Sequence, residues 1–468
     1  MTDRIAPMAF ARSSEPLPSR VLFAGDTVSP FTARLAGALL ARGFDVSVLN
    51  GPRLVQAVRE QYGKVVRNVA YEEVRLRGNA RLPAVRRMEG RLNRLRLRRV
   101  IRGERPDVLH VNNLYCGERL DRIAAIDPPP APMLVSAFGT DVDDSVIAKH
   151  PSYPPMREQL LARAELVTAS SGPMVRRCRS FVPHRPERDF RLIHWYADRT
   201  RFNVETARRG RQRWRQRLGI GPHDRVVLSP RATAPNYQID RVIRAFAGAV
   251  AGGHCRAILV VVHHASGTAA QDAWLCDLRR LAAPLGANVR FVPQVPYTEV
   301  PELFGMADVA VSIPRADGAA ATHFELLALG VPLIVADLDD YRGILDPYHN
   351  AIPVDATDDE PVARAIRAVL TDRALREQLA CGAIASAERL GTFDDTVDAY
   401  VRAYHEVLVR ARRRRSDPLG VGEMSYAGIG AREAERPDIG RADRGGECVL
   451  CGEWFPSREP MSGGEQEE

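Results

Sequence analysis

The feature that most limits what this chain can fold into is an alternation, met twice, of short unbroken apolar runs with stretches of helical periodicity. A first series of runs lies at residues 20–24 (RVLFA), 46–49, 108–111, 133–138, 166–169 and 190–193. A second lies at residues 226–229, 257–262, 289–292, 309–312, 333–335 and 351–354. Runs this short that do not alternate with polar residues read as strands buried on both faces, which is the condition of a parallel sheet covered by helices. Two such series predict an α/β chain of two doubly wound parallel sheets, and such sheets take ligands outside the carboxyl ends of their strands. A length of 468 residues agrees, since a domain takes about 150.

The pattern divides the chain into a flexible lead at residues 1–18, a first domain at 19–203 and a second at 204–390. Residues 391–415 read as one helix, with Val397, Tyr400, Val401, Tyr404, Val407 and Leu408 on one face. Residues 416–468, rich in glycine and charge, read as a disordered tail. The tail carries 12 acidic residues against 5 arginines, so the net charge of +8 conceals a body at +15. Only Lys64 and Lys149 are lysines, so any phosphate bound by the second half must meet arginine, histidine or backbone amides. No apolar run approaches the ~20 residues that span a bilayer. The start holds Asp3 and no long apolar stretch, so no secretory signal is expected. Seven scattered cysteines fit a reducing, cytoplasmic compartment.

Residues 314–337, PRADGAAATHFELLALGVPLIVAD, place a loop and then a helix between two apolar runs. A loop of small residues at a helix start turns free amides toward an anion, so Gly318, Ala319 and Ala320 suit a diphosphate. Glu325, two turns further on, suits hydroxyl groups. On the residue pattern alone, ordinary α/β construction accounts for the same stretch.

This segment resembles the signature of glycosyltransferase family 4, an acid, seven residues, a glutamate and then G-x-P, here Asp317, Glu325, Gly330 and Pro332. Asp317 stands where that family usually has glutamate. The resemblance extends to residues 229–246 (SPRATAPNYQIDRVIRAF), to 289–312 before the signature, to IHWYADRTRF with Asp198 and Phe202, and in the first half to GDTVSPFTARLAGALLARGFDVSVL and SAFGTDVDD. It implies a GT-B fold of two facing Rossmann-like domains, a nucleotide-sugar donor in the second, an acceptor in the first, and transfer with retention, without metal or other cofactor. By the same resemblance Asp317 touches the donor sugar, Glu325 the ribose, the amides of Gly318, Ala319 and Ala320 the phosphates, and Arg231 the diphosphate. The family's donor-loop lysine is missing, with Asn236 and Tyr237 in its place, so Asn236 is expected among the donor-binding residues and charge neutralisation falls to Arg231 and Arg315. The first loop shows Gly25, Asp26 and Phe31 instead of the usual glycine pair and histidine. These departures leave three readings: a divergent retaining glycosyltransferase, a nucleotide-sugar-binding scaffold without turnover, and a nucleotide-sugar epimerase.

His110 and Asp141 stand at strand ends of the first domain, where they would orient a hydroxyl of a glycan or lipid-linked acceptor; a loop-satisfied polar group is the alternative for each. His263 and His264 read as structural. Residues 86–102 hold eight arginines and one glutamate, with Val85, Met88, Leu92 and Leu95 at helical spacing. Such a basic amphipathic helix suits an anionic membrane surface, and peripheral attachment to the inner face of the membrane is the expectation. Without aromatics for stacking, it does not point to nucleic acid. Cys448 and Cys451 form a C-x-x-C without the further ligands zinc needs.

Overall fold

The structure is a computed structural model that describes residues 19–27, 29–50, 66–74, 83–114, 120–143, 153–253, 256–263 and 269–416. The lead at 1–18, the tail with Cys448 and Cys451, Lys64, Lys149 and His264 lie outside the described residues.

Two parallel sheets organise the chain. The first contains β1 (Arg20–Gly25), β2 (Asp45–Asn50), β3 (Arg67–Ala70), β4 (Val108–Asn112), β5 (Met133–Ala137), β6 (Leu166–Ala169) and β7 (Phe190–Leu192), in the order β3-β2-β1-β4-β5-β6-β7. The second contains β8 (Arg225–Ser229), β9 (Ala257–His263), β10 (Val289–Pro293), β11 (Val309–Ser312), β12 (Leu333–Ala336) and β13 (Ala351–Val354), in the order β10-β9-β8-β11-β12-β13. In each sheet the order reverses once, between β1 and β4 and between β8 and β11. At such a switch point neighbouring crossovers leave on opposite faces, so the carboxyl ends of the two strands flank an open crevice. β3 is absent from the sequence reading for a physical reason: it is a four-residue edge strand in which only Val69 is buried.

Each sheet is covered on both faces. One face of the first sheet packs Leu97, Ile101, Leu160 and Met174 from three helices against β4, β5 and β6. Its other face packs Leu35 and Leu39 of the helix Pro30–Ala41 together with Val397, Tyr400, Tyr404 and Val407 of the helix Phe393–Ser416. The last helix of the chain therefore returns to cover the first sheet. The chain crosses between the sheets twice, and hydrogen bonds join the two crossings. The Phe393 amide donates to the Ala197 carbonyl at 3.1 Å, the Tyr196 amide to Thr396 Oγ1 at 3.1 Å, and Thr396 Oγ1 to the His194 carbonyl at 2.8 Å.

In the second domain the helices Val204–Arg217 and Val300–Gly305 cross with their backbones in contact, at Gly210 against Glu302 and at Gly305 against Ala207. A methyl group at position 210 would overlap the Glu302 backbone, which cannot yield without moving its helix. Gly37, inside the helix Pro30–Ala41, has nothing near the place a Cβ would occupy. Gly210→Ala is therefore expected to lower the unfolding free energy by about 1–3 kcal/mol or more through overpacking, while Gly37→Ala raises it by up to about 1 kcal/mol through helix propensity. Denaturant titration of both variants checks the opposite signs.

Candidate active site

The crevice at the second switch point is built from the loops that follow β8 and β11. β8 ends at Ser229, placing Arg231 two residues on, and β11 ends at Ser312, leading to Asp317. The adjacency of the strands brings these side chains together although 86 residues separate them, and Arg231 Nη1 donates to Asp317 Oδ2 at 2.7 Å. Tyr341 Oη donates to the same carboxylate oxygen at 2.9 Å, and the Gly318 amide donates to Oδ1 at 3.0 Å. The Arg231 guanidinium also lies over the Tyr237 ring, 4.5 Å from its centre. Burial alone would lower the pKa of this arginine; the Asp317 carboxylate outweighs it and holds the group above its ordinary value, a fixed cation.

Two amide side chains fasten the loops. Asn236 Nδ2 donates to the Ala316 carbonyl at 2.9 Å and Oδ1 accepts from the Ala316 amide at 3.3 Å; Gln238 Nε2 donates to the Ile313 carbonyl at 2.8 Å. Asn236 thus fixes the loop that carries Asp317 rather than presenting its own amide to a donor, a correction to the sequence expectation. Ala320 then caps the helix Ala321–Ala328 with no side-chain hydrogen bond and no acidic residue in the first turn. The positive end of that helix is left open to an anion. His323, which the sequence reading passed over, bonds Ser312 Oγ through Nε2 at 3.0 Å and stands edge-on to Tyr341, closing the floor beneath the pair. Arg315 is exposed at the rim.

Glu325 is buried and engaged across the domains. Arg34 Nη1, from the helix Pro30–Ala41, donates to its Oε1 at 3.2 Å, and Tyr297 Oη donates to the same oxygen at 2.7 Å. Burial pushes the Glu325 pKa up, opposed by Arg34 and Tyr297. The Arg34 guanidinium lies between the rings of Tyr297 (4.8 Å) and Phe393 (4.4 Å), and its Nη2 is buried with no hydrogen-bond partner among the described residues. A second bridge joins Ser171 and Arg177 of the first domain to Asp340 of the second, with Arg177 Nη2 at 3.1 Å from Oδ2. Sequence reasoning missed Arg34 and Asp340, whose partners lie in the other domain, and Tyr297 and Tyr341, whose partners lie 28 and 24 residues away; none of these pairs leaves a local pattern.

Gly318 lies at a close approach of the two domains. A Cβ there would come within 2.6 Å of Met174 Sδ, 2.7 Å of Ser170 Oγ and 2.8 Å of the Phe138 carbonyl, and one on Gly139 within 2.8 Å of the Gly318 amide. Gly318 therefore packs directly against the first domain, with no room for a side chain, while its amide stays on Asp317.

Both acceptor-side expectations are corrected. His110 is sealed within the first sheet's helix-covered face, Nδ1 bonded to Tyr404 Oη at 2.9 Å and Nε2 to Ser136 Oγ at 2.7 Å, with Phe23 and Tyr400 against the ring. β4 runs on to Asn112, so His110 is the middle residue of its strand and not at the carboxyl end that borders the crevice. Asp141 is buried too, its carboxylate accepting from the amides of Leu114 (3.0 Å), Phe138 (3.0 Å) and Gly139 (2.7 Å). It shapes the loop that meets Gly318 and has no oxygen free for an acceptor. Phe31, expected in the first loop, lies in the first turn of the helix Pro30–Ala41 and stands edge-on to Trp195 at 5.5 Å. His263 is buried beside Phe291. Among the described residues, no cluster of three His, Cys, Asp or Glu side chains suits a metal ion.

Two family models match the chain, "Glycosyl transferase 4-like domain" over residues 27–194 and "Glycosyl transferases group 1" over residues 210–385. A D-inositol 3-phosphate glycosyltransferase of Geodermatophilus obscurus is 28% identical over 264 residues, 55% of this chain and 56% of that protein. The chain spans about half the length of the curated relatives it matches. Among solved structures, Anabaena HepE in complex with UDP and glucose superposes with a TM-score of 0.64 at 14% identity, covering 82% of this chain and 99% of that one. Sucrose-phosphate synthase of Thermosynechococcus elongatus gives 0.65 at 16%, covering 83% and 99%. At these identities the likeness is one of fold, the GT-B arrangement of two facing Rossmann-like domains.

The sealed histidine carries a stability prediction. Burial lowers the His110 pKa to about 3, whereas in the unfolded chain it titrates near its ordinary 6.5. Below pH 6.5 the unfolded state binds the proton and the folded state does not, so this contribution is complete above 6.5 and declines as pH falls toward 3. His110→Gln removes the titration. The loss of unfolding free energy between pH 7.5 and 5.5 should therefore shrink by about 1.4 kcal/mol in the variant, as measured by denaturant titration at both pH values.

Proposed function

The chain belongs to the glycosyl transferases group 1 family, and from that membership we propose that it is a retaining glycosyltransferase, moving a sugar from a nucleoside diphosphate in the second domain to an acceptor hydroxyl facing it from the first. The observation that carries this reading is the buried Arg231–Asp317 pair beside the uncapped helix start at Ala320, with Glu325 on the same helix. UDP and glucose in HepE, a protein of the same fold, and the nucleotide-sugar chemistry of the family support the donor class.

As the bond from the anomeric carbon to the diphosphate breaks, negative charge gathers on the departing phosphate oxygens. In this reading Arg231 and the first amides of the helix Ala321–Ala328 stabilise that charge, and the Arg231–Asp317 pair keeps the cation fixed as it develops. Asp317 holds Arg231 in place and faces the sugar. The new bond forms from acceptor oxygen to anomeric carbon on the face the diphosphate leaves, and the acceptor proton passes to the departing phosphate. Glu325 exchanges Arg34 and Tyr297 for the ribose hydroxyls, and Arg34, with its unpartnered Nη2, is left for an anionic group in the crevice. Guanidinium and amides here take the part a metal ion would play, so donor binding is proposed to be metal-independent.

The second reading, a nucleotide-sugar-binding scaffold without turnover, is favoured by one observation, the closure of the crevice by Arg34–Glu325 and Gly318–Phe138. One set of measurements separates the two. In a thermal-shift panel of nucleotide-sugars, one donor should raise the melting temperature, with or without EDTA, because it binds only the native state. Glu325→Gln should weaken that donor at least tenfold by losing charge-assisted hydrogen bonds, each worth roughly 1.5–3 kcal/mol. Arg231→Gln should lower turnover more than donor affinity, since its charge acts on the departing group. Wild-type affinity in both variants would overturn the donor site; donor binding with no product from any acceptor favours the scaffold.

A further inference from the structure

The helix Pro83–Glu104 joins β3 to β4 and buries Gly90, Asn93, Leu97 and Ile101 against the first sheet. Asn93 pins it there, its Oδ1 accepting from the Val74 amide at 2.7 Å and from Tyr71 Oη at 3.1 Å. At 100° per residue, the side opposite that buried stripe falls on Met88, Leu92 and Leu95, which are 51%, 39% and 63% exposed. These are three of the five large apolar side chains left exposed among the described residues. An ordinary surface helix turns its charges outward; this one turns an apolar triplet outward and sets arginines on its flanks.

Arg91 and Arg98 lie on one flank and Arg96 on the other, with Arg99 and Arg102 continuing the charge toward the helix end. Among the described residues no hydrogen bond or ion pair occupies Arg91, Arg94, Arg96 or Arg99. Beside the triplet opens a cavity of about 300 Å³ lined by Arg91, Arg94, Arg98 and Leu95 over Ile126 and Asp127. The one carboxylate in it, Asp127, lies 3.6 Å from Arg163, so the arginines keep their charge for something else. Because the helix is a crossover between parallel strands it runs antiparallel to them, and its first turns lie at the end of the sheet that faces the crevice.

We propose that this face seats the protein on an anionic lipid bilayer, with Met88, Leu92 and Leu95 entering the headgroup boundary and the Arg91, Arg94 and Arg98 cavity taking a lipid phosphate. Apolar side chains ringed by guanidinium groups match a surface that offers hydrocarbon beneath a layer of phosphates. A second copy of the chain would bring two arginine-rich faces together against their repulsion. Nucleic acid would find no aromatic side chain on the face to stack upon. The inference is independent of glycosyl transfer, since it uses none of the crevice residues.

The test is co-sedimentation of the full chain with vesicles of phosphatidylcholine alone and of phosphatidylcholine with phosphatidylglycerol. The protein should pellet with the anionic vesicles only. The triple variants Met88→Ser/Leu92→Ser/Leu95→Ser and Arg91→Gln/Arg94→Gln/Arg98→Gln should each bind at least about tenfold more weakly, with wild-type melting temperatures. Arg209→Gln/Arg256→Gln/Arg342→Gln, which removes the same charge from exposed sites of the second domain, should bind like the wild type. The proposal is overturned if the wild type stays in solution, if the control triple is lost from the vesicles as readily as the helix triple, or if the serine triple binds unchanged. It is equally overturned if the helix variants lose affinity for transfer RNA while wild-type vesicle binding is absent.

Discussion

The buried ion pair between Arg231 and Asp317 is the constraint on which the second domain's working end rests. Taking both charges out of water costs several kcal/mol each, and only close geometry with further hydrogen bonds offsets that cost. Here Tyr341 and the Gly318 amide complete the carboxylate, and the Tyr237 ring covers the guanidinium. The loop between β11 and the next helix therefore has one conformation open to it. That conformation fixes where the helix Ala321–Ala328 begins, hence where its free amides point, hence the height at which Glu325 meets Arg34. A break in the pair would leave an uncompensated charge under the crevice, with Tyr341 and the Gly318 amide still holding the carboxylate.

The two domains meet through side chains that are individually ordinary. Gly318 and Gly139 let two loops touch backbone to backbone, while Arg34–Glu325 and Ser171 with Arg177 on Asp340 hold polar contacts on either side of that point. Each tie is an ionic hydrogen bond that another anion or hydroxyl can replace, so closure is stable without being committed. An apolar interface of the same extent would have to expose hydrocarbon on opening.

The fold was legible in the sequence because parallel strands covered on both faces leave unbroken apolar runs, and twelve of the thirteen described strands carry one; β3, with Val69 alone buried, does not. Asp317, Gly318 and Glu325 stood out as well, since they lie within one local segment of the sequence. The acceptor side was not legible. Asp141 follows β5 as expected, but His110 is the middle residue of β4, and what each side chain meets depends on the helix Phe393–Ser416 and on three loop amides, neither of which a local pattern contains. Arg34 and Tyr297 acquire meaning only through Glu325, 291 and 28 residues away.

The return of the last helix to the first sheet bears on how the protein is made. During synthesis the face that will carry Tyr400 and Tyr404 is exposed from the moment β4 and β5 pair, and His110 waits for a partner 294 residues downstream. At about 5–20 residues per second, that separation is an interval of about 15–60 s during which this face of the sheet lacks the helix Phe393–Ser416. The second domain, contiguous in sequence, can fold within that interval, so the domain translated first is the one completed last.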